Sequence, residues 1–246
     1  MARAIRGAHA AGMRSALTLV LITGFAAFLP AELQADEAAP RPVPAELLAK
    51  LARTSAQFEA MMGKASFTVT GHMDNKEGTA RVTMQGDRSK VEILKYVEDG
   101  QDKTEEAKKR AAERAREPRK ARQSRDEVHM PFLASEQTNY DFWVGDVDAH
   151  DPTHMRVFFH AKVPAENRMN GSAWVDERSG ELLTASVTAS KTPAFIDYIR
   201  AKFEFGEQTS MGPAISKLSF DTAGGFLFVR KHYAGSATFA SYELSP

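Results

Sequence analysis

The chain contains no cysteine, so neither a disulfide framework nor attachment of a lipid at a cysteine is open to it. It carries no net charge, with 32 basic and 32 acidic residues, and nothing in that balance points to nucleic acid as a partner. Tryptophan is scarce, at 2 residues. There is no glycine-rich phosphate loop and no Gly-x-Ser-x-Gly elbow. After the first thirty or so residues no stretch is apolar enough to span a bilayer, which takes roughly 20 apolar residues. These absences leave a fold held by its core alone, and they thin out the enzymatic readings.

The apolar stretch that does exist lies at the start. Arg3, Arg6 and Arg14 precede an uncharged run over residues 15–29, followed by small residues. A positive leader, a short apolar run and a small-residue site predict a cleavable export signal over residues 1–35, cut near Ala35. Ala31 is a second cleavage option. The expected location is therefore the periplasm. Residues 36–44 read as a linker kept extended by Pro40, Pro42 and Pro44. The remaining residues, 45–246, suit one domain.

Within that domain the hydrophobic period changes. Leu47, Leu48, Leu51, Phe58, Met61 and Met62 recur at helical spacing and predict one amphipathic helix ending near Gly63. From Ala65 the period is two. Phe67 and Val69, then Ala80, Val82 and Met84, then Val91 and Ile93 alternate with polar residues. Turn signals stand at Asp74-Asn75 and Gly86-Asp87. Residues 102–128 interrupt this with Lys, Arg, Glu, Asp and Ala, a charged helical insertion broken at Pro118 and lacking an apolar stripe. Strand signals then resume. They include a hairpin turning at Glu177-Arg178-Ser179-Gly180, and a long strand carrying Phe195, Ile199, Phe203 and Phe205 on one face. The fold class expected is α+β, mainly antiparallel β: a single curved sheet or open β-barrel of about ten strands. The N-terminal helix would lie over its concave face.

Candidates for chemistry are few. Asp146, Asp148, His150, Asp151 and His154 are dense enough to hold a divalent ion, but their spacing matches no established ligand pattern, and Pro152 marks a turn. Asp176 and Glu177 are adjacent and would point to opposite faces of a strand. No catalytic residue, metal site or cofactor is expected, and the chain is read as non-enzymatic. With 15 phenylalanines and 10 methionines, the larger signal is apolar bulk on one face of a sheet. Concave apolar cavities take small hydrophobic ligands. Parity assigns Phe67, Val69, Met84, Ile93, Val157, Phe159, Ile199, Phe203 and Phe205 to that face as cargo-lining candidates. Trp174 is included as well, although Ala173 and Val175 offer an apolar face of opposite parity.

The segment Gly171-Ser172-Ala173-Trp174-Val175-Asp176-Glu177-Arg178-Ser179-Gly180-Glu181 resembles a hairpin of the LolA/LolB-like lipoprotein carrier superfamily. Lys191 to Phe195, Gly212-Pro213, Gly225 to Phe228 and Thr238 to Tyr242 follow in a similar order. The resemblance implies an open β-barrel with helices over an apolar face, and carriage of lipid or lipoprotein acyl chains through the periplasm. The partners expected are thus lipid or acylated protein cargo, with no nucleic acid and no stable membrane anchor, and the chain itself a monomer. A different reading of the same fold is an envelope interaction or sensor module that binds a protein partner.

Overall fold

A computed structural model describes residues 41–86, 88–116, 128–226 and 229–245. The export signal read over residues 1–35, the start of the linker and the second half of the charged insertion lie outside these residues.

The chain enters as strand β1 (Arg41–Pro42), followed by helix α1 (Ala45–Met62). Pro44 occupies the N-cap of α1, where a missing N–H costs nothing, and Glu46 sits in the first turn, favourable to the helix dipole. Strands β2 (Ala65–Met73), β3 (Lys76–Gln85), β4 (Arg88–Glu98) and β5 (Gln101–Asp102) form a meander. Helix α2 (Thr104–Arg116) leaves it, with Asp102 accepting from the Thr104 N–H and hydroxyl. A second run follows: β6 (Tyr140–Val147), β7 (His154–Ala161), β8 (Met169–Asp176), β9 (Leu182–Ala189) and β10 (Ile196–Glu204). A small hairpin of β11 (Glu207–Thr209) and β12 (Gly212–Ala214) precedes β13 (Lys217–Phe226) and β14 (Val229–Leu244).

Twelve strands make one antiparallel sheet in the order β1-β6-β7-β8-β9-β10-β13-β14-β2-β3-β4-β5, with β11 and β12 paired separately. The sheet is open, with β1 and β5 at its edges. It is larger than the ten strands read from periodicity, because the two additions, β1 and β5, are pieces of two residues, too short to show a period. Residues 41–42, read as linker, pair with Val144 and Trp143. The long strand begins at Ile196, not at Phe195. Phe195 sits at φ +71, a left-handed conformation that ends the strand, and its side chain is exposed.

Register fixes the faces. Phe67 lies opposite Val82, and Val82 opposite Val91. Val157 lies opposite Ala173, and Ala173 opposite Ala185. The buried apolar side chains of these strands share this inner parity, and α1 covers it. Apolar packing gathers into two clusters. One is built from β6 to β9 with Leu47, Leu51 and Phe132; the other from β2, β3, β10, β13 and β14 with Met61 and Met62.

Candidate functional site

Helix α1 is the bridge between the two clusters. Its inward series is Leu47, Leu51, Ser55, Met61 and Met62, all buried. The first two pack on one cluster and the last two on the other. Ser55 stands between them. Its hydroxyl oxygen is fully buried and, among the described residues, has no hydrogen-bond partner. An unsatisfied buried hydroxyl costs on the order of 1–3 kcal/mol, so this is a weak point in the helix–sheet contact. Among the described residues, Val187, Phe203 and Phe205 are the partly buried side chains packed against both clusters.

Beside this seam lies a cavity of about 40 Å³, lined by Thr54, Gln57, Phe58, Glu181, Leu182, Phe205, Met211, Gly212 and Pro213. Phe58 and Phe205 meet edge to face across it, with ring centroids 5.6 Å apart. The β11–β12 hairpin forms its outer wall. Gly212 there adopts φ +117, a conformation that favours glycine, and the Thr209 hydroxyl donates to the Gly212 carbonyl at 2.7 Å while touching the Met61 sulfur at 3.2 Å. The cavity has room for a few waters. Pockets that enclose a drug-sized ligand run to roughly 300–1,000 Å³. As it stands the cavity is too small to enclose an acyl chain. A larger open cleft of about 720 Å³ lies between β4 and α2, but Lys95, Asp102, Lys103, Glu105, Glu106 and Lys108 line it, and it is not an apolar site.

The first half and the middle of α1 are pinned by hydrogen bonds to the β8–β9 turn and to Gln137. The Thr54 hydroxyl donates to the Gly180 carbonyl at 2.6 Å, and Lys50 Nζ donates to the Glu177 carbonyl at 3.3 Å. On the other flank, Gln137 donates to the Leu48 carbonyl at 2.9 Å. Gly180 has φ +78, and a Cβ there would stand 2.6 Å from Lys50 Cβ. The hairpin that carries the Trp174-Val175-Asp176 sequence is thus the seat of α1. Asp176 closes its turn: the carboxylate accepts from the Ser179 N–H at 2.7 Å and the Ser179 hydroxyl at 3.0 Å, and it shares the one Thr153 hydroxyl hydrogen, at 3.3 Å, with the nearer Asp151 at 2.7 Å. Burial works against ionisation of this carboxyl, but the bonds from Ser179, Arg178 and Thr153 outweigh it and hold its pKa below the usual carboxylate range.

Of the side chains read as cargo-lining, Phe67, Val157 and Phe159 are buried in close-packed core. Val69, Met84, Ile93, Ile199, Phe203 and Phe205 are half-buried. Val69, Ile199 and Phe203 follow the inner register, as do Met84 and Ile93 beside Val82 and Val91. Trp174 does not belong with them. It lies opposite Arg156 and Thr184, while its neighbours Ala173 and Val175 are the buried, inward residues. Strand parity sends the indole to the other face. The seam residues Ser55, Phe58 and Met211 were not among the sequence candidates.

The Asp/His loop between β6 and β7 is held together as a turn. Asp148 accepts from the His150 and Asp151 N–H groups, and Asp151 from the N–H and hydroxyl of Thr153. His154 Nε2 lies 3.4 Å from Asp151 Oδ2 and 4.0 Å from Asp176 Oδ2. Asp146 instead reaches Arg156 at 3.9 Å. These carboxylates are spent on the loop's own backbone and on the neighbouring strands.

Compared with known proteins, the chain matches no family model and no curated sequence. Among solved structures it is similar to a LolA superfamily protein from Nitrosomonas europaea, with a TM-score of 0.43 and 8% identity over 81% of this chain and 94% of that one. The likeness concerns the fold.

Proposed function

We propose that the chain is a non-enzymatic carrier of hydrophobic cargo, a lipid or the acyl chains of a lipoprotein, acting in the periplasm after its leader is removed. The observation that supports this reading is the divided core. One helix spans two apolar clusters over a buried, unpartnered hydroxyl at Ser55, next to a cavity walled by Phe58, Phe205 and Met211. A core built only for stability would fill that position with an apolar side chain, since burying one is worth about 1.5–3 kcal/mol. The seam is closed in this structure, and cargo is taken up by parting α1 and the β11–β12 hairpin from the sheet. Phe58, Phe203, Phe205 and Met211 then offer aromatic and thioether surface to an alkyl chain, and flexible methionines suit a surface that re-packs around varied chains.

Because the chain has no cysteine, a bolt across the seam is a clean test. The double variant Met61→Cys, Thr209→Cys puts thiols where the two side chains meet at 3.2 Å, and a disulfide between them, checked by mass, holds α1 to the hairpin. Protein from the envelope fraction is titrated with a fluorescent fatty-acid probe, oxidised and then reduced. Binding by the wild type and the reduced variant, lost on oxidation, is the expected result. Absence of probe binding by the wild type, with no lipid in its native mass spectrum, would overturn the carrier reading. The fully packed Phe67, Val157 and Phe159 would then favour an envelope module that binds a protein partner on its surface.

A further inference from the structure

The sheet's last long strand has an outward edge that other strands leave mostly open. Of β4, only Val97 and Glu98 are covered by β5. Tyr96 is covered by the chain entering α2: its N–H donates to the Thr104 hydroxyl, and its carbonyl accepts from the Lys103 N–H. Helix α2 then runs off beside β4 across an open cleft, with Lys108 facing Leu94 and Lys95, and supplies no strand to residues 89–93. Among the described residues, positions 89–93 therefore present their backbone edge without a partner strand. Val91, on the inner face opposite Val82, is 44% exposed. Such an edge is a template for strand addition.

We infer that this edge pairs with a second copy of the same chain, antiparallel, about a two-fold axis through Val91. The strand's own pattern selects that register. In a continuous antiparallel sheet, directly opposite residues lie on the same face. A two-fold axis must then pass through a residue and not between two. An axis through Lys90 or Glu92 sets that charge against its own copy, which is destabilising. An axis through Ile93 places Glu92 opposite Leu94, which already bulges out of the β3–β4 register. An axis through Val91 stacks valine on valine and sets Lys90 opposite Glu92 on both sides of it. Both residues are exposed on the outer face. The self-complementary triplet Lys90-Val91-Glu92 is the argument for a second copy over a foreign strand. In this register the partner's residue 88 would lie opposite Leu94, beside the open cleft between β4 and α2. The ladder is short, so the dimer should be weak and dependent on concentration.

The absence of native cysteine makes the register readable. In protein recovered from the envelope, Val91→Cys should form a disulfide-linked dimer on mild oxidation, because the two residues face each other across the axis. Ser89→Cys should not, because in this register its counterpart is Ile93. By sedimentation, Lys90→Glu should weaken self-association about tenfold or more, and Lys90→Glu combined with Glu92→Lys should restore it. Thermal unfolding of each variant shows that the fold is retained. A wild type that stays monomeric at all concentrations would overturn the inference. So would equal cross-linking at positions 89 and 91, or capture of a different protein on this edge without self-association.

Discussion

The hydroxyl of Thr54 donates to the carbonyl of Gly180 at 2.6 Å, tying the middle of α1 to the turn between β8 and β9. The contact is close because Gly180 has no side chain and lies in the left-handed region. Gly180→Ala should therefore cost roughly 2–4 kcal/mol, combining backbone strain with displacement of Lys50. Thr54→Val, which removes only the hydrogen bond, should cost about 1 kcal/mol. Urea denaturation measures both. Equal, small losses would show that α1 does not rest on this turn.

Ser55→Ala tests the seam from the other side. Removing a buried hydroxyl that has no partner should leave stability unchanged or raise it by about 1 kcal/mol. A loss of stability on this substitution would mean that the hydroxyl is satisfied, and the seam account would be wrong.

The helix and most of the sheet were legible in periodicity, since alternation over eight or more residues admits few other readings. Parity alone placed Phe67, Val157 and Phe159 inside, and they are buried. It also offered the correct alternative for Trp174, through the small apolar residues on either side. The docking of α1 on Gly180 was not legible, because Thr54 and Gly180 are 126 positions apart and a turn glycine looks the same whether or not a helix lies on it. Ser55 did leave a sign. Leu47 and Leu51 call for an apolar residue four positions on, and serine stands there. The β11–β12 hairpin and the pairing of Arg41–Pro42 were out of reach, since strands of two or three residues carry no pattern of their own.

Asp176 gives a pH dependence with a definite sign. Its folded pKa is depressed by the bonds from Ser179, Arg178 and Thr153, after burial has been offset. The stability it contributes is therefore present above its unfolded pKa, near the ordinary carboxylate value of about 3.9, and is lost as pH falls through the lower folded value. Asp176→Asn should cost about 1–2 kcal/mol at neutral pH and flatten the acid limb of the stability curve. Chemical denaturation at a series of pH values measures it. An acid limb of unchanged slope in the variant would show that other carboxyls dominate.

The contrast between Val157 and Ile199 decides between a filled interior and a yielding one. Both face inward, but Val157 has no exposed surface, while Ile199 is half-buried near the bulged start of β10. Val157 belongs to the cluster seated under the first half of α1, the half tied to Gly180 and Gln137. Val157→Trp adds several heavy atoms to close-packed surroundings and should cost roughly 1–3 kcal/mol. Ile199→Trp has solvent on one side and should cost under about 1 kcal/mol, as partly exposed changes usually do. Under the carrier reading the seam opens beneath the second half of α1. Phe203→Trp, which enlarges a side chain shared by both clusters, should then reduce fatty-acid probe binding more than Ile199→Trp does. If Val157→Trp is tolerated as easily as Ile199→Trp, the first cluster yields as well, and the seam is wider than the Phe58–Phe205 contact suggests. If all three variants leave probe binding unchanged, the bound chain lies elsewhere on the protein, and the seam is a packing fault with no part in cargo uptake.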